Sequence, residues 1–111
     1  MLIAILAVAL AQAAPAQADV AYNELAAGDA AAAVRKLEAG ADSSDPAVLI
    51  NLGTAYARQG ATDKALVAFR AAIASPDRYD LELADGSWMD SREVARVALA
   101  GLQRATAQAA R

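Results

Sequence analysis

The stretch Leu49-Ile-Asn-Leu52-Gly53-Thr-Ala-Tyr56, followed by Gly60 and then by Ala65-Leu-Val-Ala-Phe69-Arg-Ala-Ala72 before Pro76, decides the fold of this chain. Just upstream, Asp45-Pro46 supplies a side-chain acceptor for a helix N-cap and a proline suited to the first helical position. The large apolar residues recur every three or four positions, which predicts a helix that ends near Gln59. Gly60 follows where a helix C-terminus favours a positive φ.

A second helix is predicted to follow this first one. Thr62 can cap it, and Pro76 ends it. One face of that helix carries Ala65, Leu66, Phe69, Ala72 and Ile73. We expect the two helices to run antiparallel, with the small residues Gly53 and Ala65 where their backbones approach closely. Phe69 should then be buried against Leu52 and Tyr56.

This combination of residues resembles the tetratricopeptide repeat (TPR), a helical hairpin with Leu-Gly and Tyr in its first helix and Ala, Phe and Pro in its second. Leu49 stands where the family often has Trp, and Pro76 comes one residue early. The resemblance implies a mainly α fold of antiparallel helix hairpins and a non-catalytic function in binding other proteins. The alternative is an ordinary αα-hairpin that matches by chance.

A weaker copy of the pattern lies upstream at a constant offset of 32 residues, where Gly28, Ala33 and Leu37 match Gly60, Ala65 and Phe69. Once the secretory leader described below is removed, only about nine residues precede Gly28, so Val20 to Ala27 is predicted to form a truncated first helix. The alternative is an alanine-rich helix pair in which the glycine match has no meaning.

A β-hairpin is predicted after the second helix, because residues 79–90 alternate apolar and polar side chains around Asp85-Gly86. With Asp85-Gly86 as a two-residue loop, Leu83 faces Trp88 across the strands. Tyr79 and Leu81 then share that apolar face, and the opposite face carries Asp80 and Glu82.

A last helix is predicted after the hairpin and is expected to act as a terminal cap for the repeats. Asp90, with Glu93 three residues later, has the pattern of a helix N-terminus. The apolar stripe of this helix consists of Val94, Val97, Ala98, Leu99, Leu102 and Ala105.

The first residues have the character of a secretory leader. Met1 to Leu10 is apolar and uncharged, and Ala16-Gln17-Ala18 is a small-residue cleavage signature. We expect residues 1–18 to be removed and the mature chain to begin at or near Asp19, in a bacterial periplasm or secreted fluid. A membrane anchor is the alternative, although the apolar run is shorter than the roughly 20 residues that a span requires. No stable membrane anchor is expected after cleavage.

The rest of the chain, residues 19–111, is predicted to form one TPR-like helical domain. It divides into a degenerate repeat (19–45), a repeat (46–76), a β-hairpin (77–90) and a capping helix (91–109). The chain has 13 acidic and 10 basic residues, a net charge of −3, with no basic stripe. This charge argues against a nucleic acid as partner.

The resemblance to the TPR family also indicates a binding surface. In that family the exposed side of each leading helix forms a concave face, which maps here onto Ala47, Ile50, Asn51, Thr54 and Arg58. Asn51 can hydrogen-bond a peptide backbone through both amide atoms, and Arg58 can bind a carboxylate. The family's carboxylate clamp needs a further Lys or Asn, but Ile50 and Thr54 stand there. A protein or peptide partner is expected; the alternative is that Asn51 and Arg58 merely face solvent.

Two other functions stay open from the sequence. One is self-association into a structural homo-oligomer, because only one and a half repeats are recognisable and an independent solenoid normally needs about three. The other is a weak metal or enzyme site on the acidic hairpin, around Asp80, Glu82 and Asp85. Ser91 stands where a calcium loop needs its bidentate Glu. The chain has no His and no Cys, so we expect neither catalysis nor a cofactor.

Overall fold

The computed structural model describes residues 20–40 and 44–110, and this part of the chain is mainly helical with a small two-stranded antiparallel sheet. The predicted leader and its cleavage point at Asp19 lie outside the described residues. The elements, in chain order, are α1 (Tyr22–Ala26), α2 (Ala30–Glu38), α3 (Pro46–Arg58), α4 (Thr62–Ala74), β1 (Asp80–Glu82), β2 (Trp88–Asp90) and α5 (Ser91–Ala109).

The ends of α3 agree with the sequence prediction. The Asp45 side chain accepts a hydrogen bond from the Ala47 backbone N–H over 3.0 Å, and Pro46 is the first helical residue. The helix stops at Arg58, and Gly60 follows with a φ of 78°. Asp45 therefore satisfies one of the donors that the first helical turn leaves without an intrahelical partner.

The start of α4 differs from the prediction. Ala61, not Thr62, occupies the N-cap position and makes no side-chain cap, so the prediction that Thr62 caps the helix is wrong. Thr62 is already the first helical residue and stands one position too late to cap. Asp63 places a negative charge in the first turn, where the helix dipole favours it. The helix ends at Ala74, ahead of Pro76 as predicted.

The contact between α3 and α4 is centred on Gly53 and Phe69. Phe69 is fully buried. A Cβ added to Gly53 would lie 2.6 Å from Phe69 Cε1, which no real Cβ tolerates. The expectation that the two backbones approach closely at Gly53 is not confirmed, because the atoms nearest to this site belong to the ring of Phe69. Burying a side chain of this kind contributes roughly 1.5–3 kcal/mol to the free energy of unfolding.

The upstream pair α1 and α2 is short. Gly28 separates the helices with a φ of 82°, and the Asp29 side chain caps α2 by accepting from the Ala32 N–H over 3.0 Å. Helix α1 has only five residues and packs on both α2 and α3. Its N-cap, Ala21, has a φ of 59°, a left-handed conformation that costs a non-glycine residue about 1–2 kcal/mol.

The β-hairpin forms where it was predicted, but its register is different. Glu82 pairs with Trp88 and Leu81 with Met89. Leu83 N–H donates to Ser87 O and Gly86 N–H to Leu83 O, which encloses a three-residue loop. The predicted two-residue loop and the pairing of Leu83 with Trp88 are therefore wrong.

The register determines which side chains the hairpin buries, because a shift by one residue moves a side chain to the opposite face. Leu81 and Leu83 are buried, as predicted. Trp88, which was predicted to share their face, is 51% exposed and lies opposite Glu82.

Helix α5 begins as predicted, with the Asp90 side chain accepting from the Glu93 N–H over 3.2 Å. It packs against both α4 and α3. Val94, Ala98 and Leu102 are buried as expected. Val97, however, is 44% exposed and Ala105 is also exposed, so their place in the buried stripe is wrong.

The loop before α3 and the loop after α4 are joined by hydrogen bonds. Ser75 Oγ donates to Ser44 O over 2.6 Å and accepts from the Asp77 N–H over 3.1 Å. The Tyr79 hydroxyl hydrogen-bonds the Asp45 carboxylate. Both the burial of Tyr79 and this carboxylate raise its pKa. These contacts hold the start of the hairpin segment against the first turn of α3.

Within the described residues, no helix combines the length and the apolar character needed to cross a membrane.

Candidate functional site

The face of α3 predicted to bind a partner is not exposed. Ala47, Ile50, Asn51 and Thr54 all have 0% relative exposure. Arg58, the fifth predicted contact, is partly buried. The expectation that these five residues form an open concave face is therefore wrong.

The chain's own N-terminal segment occupies part of this face. Asn51 Nδ2 donates to Val20 O over 2.7 Å, and Arg58 Nη1 donates to Leu25 O over the same distance. The Thr54 hydroxyl donates to Ile50 O within α3 and so is not directed at another segment. Asn51, predicted to bind the backbone of a partner peptide, and Arg58, predicted to bind a carboxylate, therefore both bind main-chain carbonyls of this chain.

A different surface of the α3–α4 hairpin is open. It is an apolar groove of about 390 Å³, which we call the α3–α4 groove, and its walls consist of Leu49, Leu52 and Tyr56 from α3 and Asp63, Lys64, Val67, Ala68 and Ala71 from α4. Val67 is the most exposed large apolar side chain in the described residues, at 68%. Leu49, Leu52 and Tyr56 are only partly buried.

Polar groups border one end of the α3–α4 groove. Lys64 Nζ lies 5.5 Å from the centre of the Tyr56 ring, within the range of a cation–π contact. The Tyr56 hydroxyl hydrogen-bonds the Glu38 carboxylate at the end of α2. Burial, followed by this hydrogen bond, raises the pKa of Tyr56 to about 12. Tyr56 therefore stays neutral at physiological pH, with its ring available as part of the groove wall.

The acidic hairpin forms local pairs. Arg78 Nε lies 2.8 Å from Asp90 Oδ1, and this hydrogen bond lowers the pKa of Asp90. The Ser87 side chain and N–H both donate to Asp85, which lowers the pKa of that carboxyl group. No group of three or more His, Cys, Asp or Glu side chains in the described residues is placed to hold a metal ion.

The α3–α4 groove was missed at the sequence level because its lining residues were counted as core. Leu49, Leu52 and Tyr56 were assigned to the stripe that packs inside the hairpin, yet Phe69 takes the position beneath Gly53. One signal was present. Val67 lies outside the predicted apolar face of α4, and a large apolar side chain off that face indicates an exposed apolar patch.

No family model, curated protein or solved structure matches this chain.

Proposed function

We propose that this protein is an exported, non-catalytic protein–protein interaction module of the TPR type, and that it binds an amphipathic helix of a partner protein in the α3–α4 groove. The observation that carries the proposal is the open apolar groove beside Val67. An exposed apolar concavity with a polar border is the usual form of a peptide-binding surface.

The dimensions of the groove favour a helix as the occupant. Leu49 and Tyr56 are seven positions apart on α3, which at 1.5 Å per residue gives about 10 Å of apolar wall. This length matches two turns of a helix that presents apolar anchors at three- and four-residue spacing. Asp63 and Lys64 at the border carry opposite charges and can pair with the charged residues that flank such anchors.

The packing of the helices supports the TPR assignment. Helix α3 packs against both α2 and α4, and α5 packs against both α3 and α4. A TPR array places each successive helix in this way, and its last helix shields the final hairpin. The small residue at Gly53 and the aromatic ring of Phe69 occupy the positions that the family pattern gives them.

A pair of valines tests the groove. Peptides that bind the wild-type protein are first selected from a library of amphipathic helices. These peptides should bind the Val67→Asp variant at least about tenfold more weakly, because the bound helix would remove water from the new carboxylate. Val97→Asp is the matched control: Val97 is an exposed helical valine outside the groove, and its replacement should leave the affinity unchanged. Equal affinities of wild type and Val67→Asp would exclude the groove as the binding site.

Self-association is the second candidate function. The exposed side chains of Trp88, Val67 and Val97 favour self-association, because large apolar surface side chains are common at interfaces between copies of one chain. Light scattering over a range of protein concentrations separates the two functions. A dimer that Trp88→Ser abolishes would support self-association, and a monomer at all concentrations would exclude it.

A further inference from the structure

The α3–α4 groove and the first described residue lie on opposite sides of α3. The Asn51 side chain donates to Val20 O, and the Val20 side chain is buried, so the chain is held on α3 at this point. With 3.6 residues per turn, Asn51 is about 160° from Leu49 around the helix axis. Leu49 belongs to the wall of the groove. A segment that precedes Val20 must therefore pass around α3 to reach the groove.

Residues 2–10 have the size and the apolar character to fill the α3–α4 groove. They carry no charged side chain. At helical spacing, Leu2, Ile5 and Leu6 share one face, and Ala4 lies on the opposite face. Leu2 and Leu10 are eight positions apart, which is about 12 Å along a helix, against about 10 Å for the apolar wall of the groove. Such a helix can enter the groove without bringing in a charge that would lose its water.

Residues 11–19 are long enough to connect this apolar segment to Val20. Nine extended residues span at most about 30 Å. The path around half of a helix that is about 10–12 Å across measures only about 17 Å. A segment on a short linker competes for its site at an effective concentration in the millimolar range. Even weak intrinsic affinity of residues 2–10 for the groove is therefore enough to keep it occupied.

We propose that residues 2–10 bind in the α3–α4 groove of the unprocessed chain and block it until they are removed. The predicted cleavage point before Asp19 separates this segment from Val20, so processing removes the occupant of the groove. In the unprocessed chain, a partner helix binds with an affinity reduced by the fraction of molecules in which the groove is open. This blocking of a partner rests on the proposed function, whereas the docking of residues 2–10 does not.

Disulfide trapping in the full chain tests the docking. The chain has no cysteine, so a double cysteine variant contains a single pair of thiols. Cell-free synthesis without membranes leaves the chain unprocessed, and mass spectrometry verifies its length. Leu6→Cys with Val67→Cys should form an intramolecular disulfide at least about tenfold faster than Leu6→Cys with Val97→Cys, because a disulfide requires the two Cβ atoms to approach within about 4.5 Å. Val97 is the matched control, an exposed helical valine outside the groove.

Two aspartate variants test which face of the apolar segment enters the groove. Ile5→Asp should abolish the preference for Val67, because the docked helix would bury the carboxylate. Ala4→Asp, its matched control on the opposite helix face, should retain the preference. In the unprocessed chain, Ile5→Asp should also raise the affinity for amphipathic-helix peptides by at least about tenfold, and Ala4→Asp should leave this affinity unchanged.

Three results of the trapping experiment would overturn the proposal. The first is an equal rate with Val67 and Val97, both for Leu6→Cys and for cysteines placed at Leu2 or Leu10 to cover neighbouring registers. The second is a preference for Val67 that Ile5→Asp leaves intact. The third is a disulfide-linked dimer as the main product, which would show that the segment occupies the groove of a second copy.

The trapping experiment and the peptide experiment fail independently. A preference for Val67 in a protein that binds no amphipathic helix would support the docking of residues 2–10 and exclude the proposed function. Equal trapping rates in a protein whose groove binds such helices would support the proposed function and exclude the docking.

Discussion

At Gly53, a hydrogen in place of a Cβ allows the ring of Phe69 to lie directly against the backbone of α3. The sequence correctly predicted that Phe69 is buried, but it placed Gly53 at a backbone approach with Ala65 and did not predict that Gly53 faces the Phe69 ring. Exposure was harder to predict at the residue scale. Asn51 and Thr54 are polar and stand off the apolar stripe, yet both are fully buried, since a segment distant in sequence covers α3.

Two glycines in helices give a matched pair for testing the Gly53 contact. Gly53→Ala should lower the free energy of unfolding by about 1–3 kcal/mol, because the new Cβ would overlap the Phe69 ring. Gly101→Ala should raise the free energy of unfolding by about 0.5–1 kcal/mol, because the site in α5 has room for a Cβ and alanine has a higher helix propensity than glycine. Urea denaturation measures both changes. A stabilising effect of Gly53→Ala would show that the two helices are not in close contact.

At the scale of elements, the predicted helix boundaries at Asp45, Gly60 and Asp90 agree with the structure, because caps and glycine turns act over a few residues. The hairpin register could not be obtained in this way. Asp-Gly suits a two-residue loop, but it also suits a three-residue loop in which the glycine is left-handed, and Gly86 has a φ of 87°. The choice depends on which strand residues the helices bury, and the local sequence does not contain that information.

Trp88 and Gly86 together test the hairpin register. Trp88→Ser should change the free energy of unfolding by less than about 0.5 kcal/mol, because the side chain lies on the exposed face opposite Glu82. In the register predicted from the sequence, Trp88 would lie in the core, and Trp88→Ser would lower the free energy of unfolding several times more. Gly86→Val should cost about 1–3 kcal/mol, because a β-branched residue resists a positive φ. A large loss in Trp88→Ser would contradict the observed pairing.

At the scale of the whole molecule, the sequence predicted a mainly helical chain with a small hairpin, and it could not predict how the elements cover one another. Residues 20–25 cover part of the predicted binding face, and the α3–α4 groove, whose walls come from α3 and α4, stays open. Long-range polar contacts complete the arrangement. The clearest is at Ser75, whose hydroxyl and carbonyl connect the segments that precede α3, follow α4 and begin α5.

Ser75 is the position at which loss of one hydroxyl should weaken the connection between the segment before α3 and the segment after α4. Its side chain is nearly buried and donates to Ser44 O, while Arg92 Nη2 donates to its carbonyl over 3.1 Å. Ser75→Ala removes the two part-buried hydrogen bonds of the hydroxyl, each of which contributes about 0.5–1.5 kcal/mol, so the free energy of unfolding should fall by about 1–3 kcal/mol in total. The matched control is Ser87→Ala, at an exposed loop serine, which should change the free energy of unfolding by less than about 0.5 kcal/mol.

Chemical denaturation measures both variants. Because the Ser75 hydroxyl joins distant segments, the loss of stability in Ser75→Ala should appear as a lower denaturation midpoint of a single transition with an unchanged m-value. A second transition confined to the hairpin in Ser75→Ala would show instead that the hairpin folds independently of the helices.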